Sequence, residues 1–188
     1  MILNDREIRE AIEHDDLITL PNYPYELYPE MYEPSIQPAS YDLTLGKSFK
    51  RMKKIDGCIE FGIPIEYEEV PYEDGVIIQP GEFMLSNTNE LITMPNNISG
   101  LVTGRSSIGR AGLVVENAGW LDAGWIGRTT LELFNMSPNP IKLKAGTRIA
   151  QVVFITMDDK AECPYQGKYQ HQVEATESRV FLDKEVHK

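Results

Sequence analysis

The sequence contains few of the residues that build metal centres and disulfide frameworks. It has 3 histidines and 2 cysteines in 188 residues. Cys58 and Cys163 cannot form a CxxC pair, and the histidines are widely scattered, so neither a disulfide framework nor a zinc site is predicted. A hydrolytic reaction in this chain would have to use a carboxylate where other enzymes use a zinc-bound water.

Long apolar runs and clusters of basic residues are also absent from the sequence. No run approaches the roughly 18 apolar residues that a membrane-spanning helix needs, and the first residues do not have the pattern of a signal peptide. A cytoplasmic protein without a membrane partner is therefore expected. The net charge of -11 argues against nucleic acid as a partner, because phosphate backbones are bound through clustered Lys and Arg. A small anion held by a few arginines remains compatible with this charge.

Short apolar segments separated by turn residues make up most of the chain, which predicts a mainly β fold such as a sandwich, jelly roll or barrel. Strands are expected at 41–46, 48–52, 76–79, 82–86, 91–94, 98–103, 113–115, 129–134, 141–143 and 148–155. One short helix is expected at the start of the chain. There Asn4 and Glu7 can form a capping box, and Ile8, Ala11 and Ile12 give the helix one apolar face.

Two segments depart from the β pattern. Residues 21–38 are rich in proline and tyrosine, which predicts an ordered loop packed by its own aromatic side chains. Residues 163–172 are polar and have little apolar pattern. Their composition fits either a mobile tail or a lid whose Tyr, Lys and Gln side chains bind a ligand.

Residues 104–110, with the sequence Gly-Arg-Ser-Ser-Ile-Gly-Arg, form a candidate anion cradle. The glycines would let backbone N–H groups approach a ligand closely, and the serines add hydroxyl donors. The arginines can make forked, charge-assisted hydrogen bonds to phosphate oxygens. The alternative is a capped turn with surface arginines.

A single acid stands in the apolar segment that follows the cradle. Alternation with period two places Thr130, Glu132 and Phe134 on one face of this strand. It places Leu131 and Leu133 on the other face. Glu132 therefore lies either on a solvated face or in a site. If it is buried, loss of solvation would raise its pKa toward neutrality, as a group that takes and returns protons requires.

In order and spacing these motifs resemble the dCTP deaminase family of the dUTPase-like superfamily. The resemblance rests on the cradle, on AGWLDAGW at 118–125, on TTLELFN at 129–135, on RIAQ at 148–151 and on PYQGKY at 164–169. It implies a distorted jelly-roll or β-clip barrel that forms a homotrimer with active sites shared between subunits.

The resemblance also implies two parts of the chain, a β domain over residues 1–160 and a C-terminal lid over residues 161–188. The substrate-binding residues it implies are Arg105, Ser106, Ser107, Ile108, Gly109, Arg110, Asp122, Thr130, Leu131, Glu132, Gln151, Tyr165, Lys168 and Gln172. Asp122 would hold the deoxyribose 3'-hydroxyl. Magnesium would bind the nucleotide phosphates rather than a protein site, and dTTP is a candidate feedback inhibitor.

The expected reaction is zinc-independent hydrolysis of dCTP to dUTP and ammonia, in the biosynthesis of dUMP and dTTP. Glu132 is the candidate general base and acid, because the chain lacks the His and Cys ligands that zinc deaminases use. Ser106 and Arg110 are the other candidate catalytic residues. They would orient the water and stabilise developing charge.

The resemblance also bears on the product. Plain dUTPases usually carry an aliphatic residue where Glu132 stands. Gly119, Trp120 and Gln151 are similar to the bifunctional branch, which goes on to hydrolyse dUTP to dUMP and pyrophosphate, whereas Glu116-Asn117 departs from the pattern common there. A monofunctional dCTP deaminase, a plain dUTPase and a non-catalytic nucleotide-binding regulator are the alternatives.

Overall fold

Short strands and very little helix make up the computed structural model of the chain, which describes residues 1–116 and 119–187. In chain order the elements are α1 (Asp5–Asp15), β1 (Ile18–Thr19), β2 (Ile36–Gln37), β3 (Ser40–Met52), β4 (Tyr67–Glu69), β5 (Val76–Ile78), β6 (Phe83–Thr88), β7 (Leu91–Thr93), β8 (Ile98–Gly104), α2 (Ser106–Arg110), β9 (Leu113–Glu116), β10 (Trp120–Leu121), β11 (Ile126–Gly127), β12 (Thr130–Asn135), β13 (Ile141–Leu143) and β14 (Arg148–Thr156). Short 3-10 helices lie at Pro29–Met31, Glu33–Ser35, Val180–Leu182 and Lys184–His187.

Helix α1 begins as its sequence predicts. The Asn4 side chain accepts hydrogen bonds from the backbone N–H groups of Arg6 and Glu7, at 3.0 and 3.1 Å, and the Glu7 carboxylate accepts from the Asn4 backbone at 2.9 Å. This capping box satisfies donors that a helix leaves unpaired at its first turn. Ile8, Ala11 and Ile12 are buried, so the predicted apolar face is confirmed.

A curled sheet of nine strands dominates the described residues. Its main path runs β10-β8-β14-β3-β6-β12-β9, and β2 and β4 also pair with β3. Strands β1, β7 and β11 form a second sheet, and β13 pairs with β5. Large aliphatic and aromatic side chains from these layers form one hydrophobic core.

The long strand β3 connects the two halves of the large sheet. Residues 41–44 pair with β14, and residues 45–51 pair with β6, with a register shift between Leu45 and Phe49. Gly46 lies at this shift, where a β-carbon would collide with the Asn87 side chain. The Asn87 amide oxygen accepts a hydrogen bond from the Ser48 backbone at 3.2 Å. The irregularity bends β3, so the sheet curls as β-bulges commonly make sheets do.

The loop at 21–38 packs on its own aromatic rings, as predicted. The rings of Tyr23 and Tyr28 meet edge to face with centroids 5.5 Å apart, and those of Tyr25 and Tyr32 do so at 5.2 Å. The buried Tyr32 hydroxyl donates to the Tyr23 carbonyl at 2.6 Å and accepts from the Leu20 backbone at 3.0 Å. Among the residues that the structure describes, no helix is both long and apolar enough to cross a membrane.

Candidate active site

A pocket of about 290 Å³ lies where the face of the large sheet meets the C-terminal segment, residues 161–188. The β domain contributes Tyr67, Leu85, Gly119, Trp120, Leu121, Asp122, Trp125, Thr129, Thr130 and Glu132. The C-terminal segment contributes Tyr165, Tyr169, Gln172, Thr176, Glu177 and Ser178. Five of the residues predicted for the site, Asp122, Thr130, Glu132, Tyr165 and Gln172, are therefore on one wall or the other.

Strand β12 places Glu132 in the pocket by alternation. Leu131 and Leu133 are fully buried in the core, whereas Thr130 and Glu132 are half-buried and Phe134 is exposed. The predicted division of the two faces is thus confirmed. The core face fixes the strand, because a slip by one residue would bury Glu132 among aliphatic side chains and expose both leucines.

The Glu132 carboxyl group has the properties of a proton carrier. Burial raises its pKa to about 7, the negative charge of Glu116 on β9 adds to this, and the Glu132 backbone N–H opposes it. One carboxyl oxygen, Oε2, is buried and has no hydrogen-bond partner among the described residues. The neighbouring Thr129 hydroxyl, also on the pocket wall, is likewise without one. Buried polar atoms are normally paired, so this wall is suited to a polar ligand.

A second buried acid, Glu90, has the same pKa and a different environment. Burial raises the pKa of Glu90 to about 7 as well. Its two oxygens accept from the backbone and the hydroxyl of Thr44, at 2.9 and 2.7 Å. Glu90 does not line the pocket and is only 1% exposed. A raised pKa marks both residues, but of the two only Glu132 lines the pocket and has an oxygen without a hydrogen-bond partner.

The C-terminal segment is ordered and lies along β11 and the start of β12. Its backbone and side chains bond to this edge at several points: the His171 N–H donates to the Ile126 carbonyl at 2.8 Å, and the Arg128 N–H donates to the Gln172 carbonyl at 2.8 Å. The Gln172 side-chain amide donates a hydrogen bond to the Arg128 carbonyl at 2.9 Å. These bonds dock the segment on the strands, and whether it acts as a ligand-binding lid stays a prediction.

Asp122 is placed at the mouth of the pocket. It is exposed, and its carboxylate accepts a hydrogen bond from the Trp120 indole at 3.1 Å. Trp120 is itself 52% exposed, so this bond is accessible to solvent. A ligand hydroxyl can therefore replace the indole as the donor to Asp122.

The anion cradle lies apart from the pocket. Residues 106–110 form helix α2, and Ser106, Ser107, Gly109 and Arg110 are exposed on it. None of residues 105–110 lines the pocket. Helix α2 is followed by β9, and Glu116 at the end of β9 is the register partner of Glu132. Within one chain the cradle residues and the acid therefore do not line the same pocket.

A buried carboxylate holds the first arginine of the cradle. Asp42 on β3 has a side chain 2% exposed, and its Oδ2 lies 3.2 Å from Arg105 Nε and 3.2 Å from Arg148 Nη1. Arg105 also donates to the Arg148 carbonyl at 3.2 Å. The Asp42 carboxylate pairs with both arginines and so fixes the direction of the Arg105 side chain. The sequence alone predicted Arg105 only as an anion ligand.

Three other predicted ligands, Leu131, Gln151 and Lys168, are also placed outside the pocket. Leu131 is buried in the core, and Ile108 packs partly against it. Gln151 lies on β14 opposite Asp42 and Thr103. Lys168 is paired with Asp183 at 2.6 Å. The parts of the predicted motifs at Asn117 and Ala118 lie outside the described residues.

Several pocket residues escaped the sequence argument. Tyr67 comes from the acidic stretch between residues 60 and 74, to which no function was assigned. Tyr169 and Glu177 come from the C-terminal segment, and Thr129 precedes β12. Thr129 and Tyr169 lie in quoted motifs but were not chosen as site residues, and Tyr67 and Glu177 lie in none. For Tyr67 the only local signal is the alternation along β4, which places Tyr67 and Glu69 on one face of that strand.

No group of three or more His, Cys, Asp or Glu side chains that could hold a metal ion occurs among residues 1–116 and 119–187. The donor atoms that face the pocket are single carboxylates, hydroxyls and an amide. The exposed serines and arginine of α2 are suited to phosphate oxygens rather than to a cation.

The sequence of this chain is similar to those of named relatives along its full length. A dCTP deaminase from Persephonella marina described as dUMP-forming is 43% identical over 189 residues, covering 98% of this chain and 100% of the relative. The protein of the same name from Aquifex aeolicus is 44% identical over 193 residues, covering 99% of this chain and 98% of the relative.

The fold has a solved counterpart. The crystal structure of 2'-deoxycytidine 5'-triphosphate deaminase from Agrobacterium tumefaciens superposes with a TM-score of 0.60 at 23% identity, covering 81% of this chain and 47% of that one. The predicted mainly β fold with a short N-terminal helix is thus confirmed. A family model described as dCTP deaminase-like matches residues 2–157. The chain therefore belongs to the dCTP deaminase-like family.

Proposed function

We propose that this protein hydrolyses dCTP to dUTP and ammonia, and then dUTP to dUMP and pyrophosphate. The observation that carries the proposal is the Glu132 carboxyl group, half-buried in a pocket with one unpaired oxygen and a pKa of about 7. Family membership supports the same reaction, since the relatives at 43–44% identity are named dUMP-forming dCTP deaminases.

The chemistry of the first step follows from Glu132. As a carboxylate it takes a proton from water, whose oxygen bonds to C4 of the cytosine ring. As a carboxylic acid it then returns that proton to ring nitrogen N3. The proton left on the C4 hydroxyl passes through the same carboxyl group to the amino nitrogen, so the C4–N bond breaks, ammonia leaves and the C4 carbonyl forms. A group that both takes and gives a proton works best with a pKa near the operating pH. The raised pKa of Glu132 meets this condition.

We infer that the cradle acts on a neighbouring copy of the chain. Ser106, Ser107, Gly109 and Arg110 are exposed on α2, and residues 105–110 lie outside the pocket of their own chain. In a homotrimer with shared sites, Ser106 and Arg110 of a second copy would orient the water and stabilise charge at the acid of the first. The triphosphate would contact the same α2 surface.

Magnesium would enter the site with the triphosphate. The exposed hydroxyls and guanidinium of Ser106, Ser107 and Arg110 are suited to phosphate oxygens, and Asp122 is free to accept a sugar hydroxyl. The bound cation would neutralise phosphate charge. The protein residues bind and orient the nucleotide, and the proton transfers remain with Glu132.

Two features support the second step. The relatives are dUMP-forming by name, and the sequence carries Gly119, Trp120 and Gln151 as the bifunctional branch does. Hydrolysis at the phosphate chain requires no change at the base, so one bound nucleotide could undergo both reactions.

Product analysis tests the proposal. Purified protein with dCTP and Mg²⁺ should release ammonia and accumulate dUMP and pyrophosphate with little free dUTP. Persistent dUTP would restrict the activity to deamination. Nucleotide binding without ammonia release would establish the regulator instead, and hydrolysis of added dUTP alone would establish a plain dUTPase. The same assay with dTTP added tests the expected feedback inhibition.

A further inference from the structure

A row of side chains crosses the large sheet at the level of the proposed reacting acid. Glu132 on β12 is the register partner of Leu85 on β6, and Leu85 is the partner of Lys50 on β3. Lys50 is in turn opposite Glu69 on β4. Register partners in antiparallel strands point to the same face, so Lys50 and Glu132 share the face that the C-terminal segment covers.

The charge of Lys50 is directed toward the C-terminal segment. Its ammonium lies 2.6 Å from Glu177 Oε1 and 3.2 Å from Glu69 Oε1, and its side chain is 13% exposed. Burial lowers the pKa of Lys50, but its hydrogen bonds to Glu177 and Glu69 outweigh this and leave the pKa raised. Lys50 is therefore charged and largely shielded, and Glu177, which it holds, lines the pocket.

Two backbone bonds bring Glu177 to this position. The Ala175 N–H donates to the Ser48 hydroxyl at 3.0 Å, and the Thr176 N–H donates to the Thr130 hydroxyl at 3.1 Å. Residues 175–177 thus cross from β3 to β12 over the pocket. Across the described part of the chain, Lys50–Glu177 is the single ion pair that joins the C-terminal segment to the β domain.

We propose that Lys50 is a positioning residue for the reaction: its ion pair with Glu177, here named the clamp, holds the C-terminal segment closed over Glu132. The proposal rests on the proposed function only in taking Glu132 as the reacting acid. The Lys50 side chain is 13% exposed and the Glu177 side chain 41%, so the pair is partly shielded from solvent and should be stronger than a fully exposed one. The clamp also commits Lys50 to Glu177 and Glu69, so its charge is not offered to Glu132.

The first test measures closure without any substrate turnover. Trypsin can cut the C-terminal segment at Lys168, Arg179 or Lys184 when the segment opens. Lys50→Met and Glu177→Gln should each speed this cleavage roughly tenfold, as expected for loss of a charged hydrogen bond. The double variant should be no faster than either single variant, because both remove the same contact. Unchanged cleavage in either single variant, or multiplied effects in the double variant, would overturn the clamp.

The second test measures catalysis with matched controls. The value of kcat/KM for dCTP should fall by a similar factor in Lys50→Met and Glu177→Gln, and Lys50→Arg should largely restore it by keeping the pair. Glu69 contacts the same lysine from an exposed position, so Glu69→Gln should change kcat/KM by less than about twofold. If Glu69→Gln matched Glu177→Gln, Lys50 would act through β4 rather than through the clamp.

The two tests separate this inference from the proposed function. If the unmodified protein failed to deaminate dCTP, the proposed function would fall while the cleavage assay still measured the clamp. If cleavage did not change in an active protein, the clamp alone would fall. Thermal melting of each variant identifies any that do not fold. If Lys50→Met does not fold, Glu177→Gln, which lies in the C-terminal segment, tests the clamp in its place.

Discussion

The pocket around Glu132 and the cradle on α2 differ in almost every physical respect. The pocket is walled by core strands, covered by the C-terminal segment and contains a half-buried acid with an unpaired oxygen. The cradle is a five-residue helix whose serines and Arg110 are exposed. The first region suits proton exchange and the second suits an anion. Because residues 105–110 do not line the pocket, we infer that the two regions meet between copies.

Replacement of the acid should give the largest effect. Glu132→Gln keeps the size of the side chain but cannot take or return a proton, so kcat for ammonia release should fall by about 10²–10⁴. Binding of dCTP, measured by calorimetry, should change little. Near-normal turnover would remove Glu132 from the mechanism. Glu90→Gln is the matched control, because Glu90 has the same pKa but does not line the pocket.

Mixing two inactive variants tests whether the regions act across copies. Glu132→Gln lacks the acid and Arg110→Ala lacks part of the cradle, so each alone should be inactive. In trimers assembled from an equal mixture, about a quarter of the sites would combine an intact pocket with an intact neighbouring cradle. Ammonia release should recover to that fraction after the two are unfolded and refolded together. No recovery would place both regions in a single chain's site.

The buried charge that holds Arg105 of the cradle can be removed without changing any residue of the pocket. Asp42→Asn removes the buried charge shared by Arg105 and Arg148, and should lower the free energy of unfolding by about 2 kcal/mol. Urea denaturation measures this change. Glu33→Gln removes an exposed pair with Arg9 and should cost less than about 1 kcal/mol. Equal costs would mean that burial of Asp42 has no energetic consequence.

The last expected effect is a pH-dependent gain in stability in the inactive acid variant. The folded pKa of Glu132 is about 7, above its ordinary value of 4.5. Between these values the folded state holds the proton more tightly, so stability falls as pH rises through this window. Glu132→Gln should therefore be more stable than the unmodified protein at pH 8, by about 1–3 kcal/mol, and close to it at pH 4.5. Identical pH profiles in urea would contradict the burial of this carboxyl group.

The sequence anticipated features that depend on local geometry. The capping box of α1, the aromatic packing of the loop at 21–38 and the alternation along β12 all agree with the structure. Each depends on residues close together in the chain, whose relation is fixed by the period of a helix or strand. Family membership followed from motifs of the same local kind, such as the cradle and the segment around Glu132.

Other features could not be deduced from local pattern. Glu90 and Glu132 both look like isolated acids near apolar residues, and only packing showed that Thr44 pairs with one while the other faces a cavity. Lys50 and Glu177 are 127 residues apart, and no motif connects them.

The sequence by itself determined most of the longer strands, their apolar faces and the presence of an acid in the last long apolar segment before β13. It did not predict the short strands β1, β2, β4, β10 and β11, and it divided β3 into two strands. The tertiary structure decided which residues surround that acid. Sheet register placed Glu132, Leu85 and Lys50 in one row, and docking of the C-terminal segment brought Glu177 to that row. Pairing between distant strands depends on the packing of the whole core, which no local period encodes.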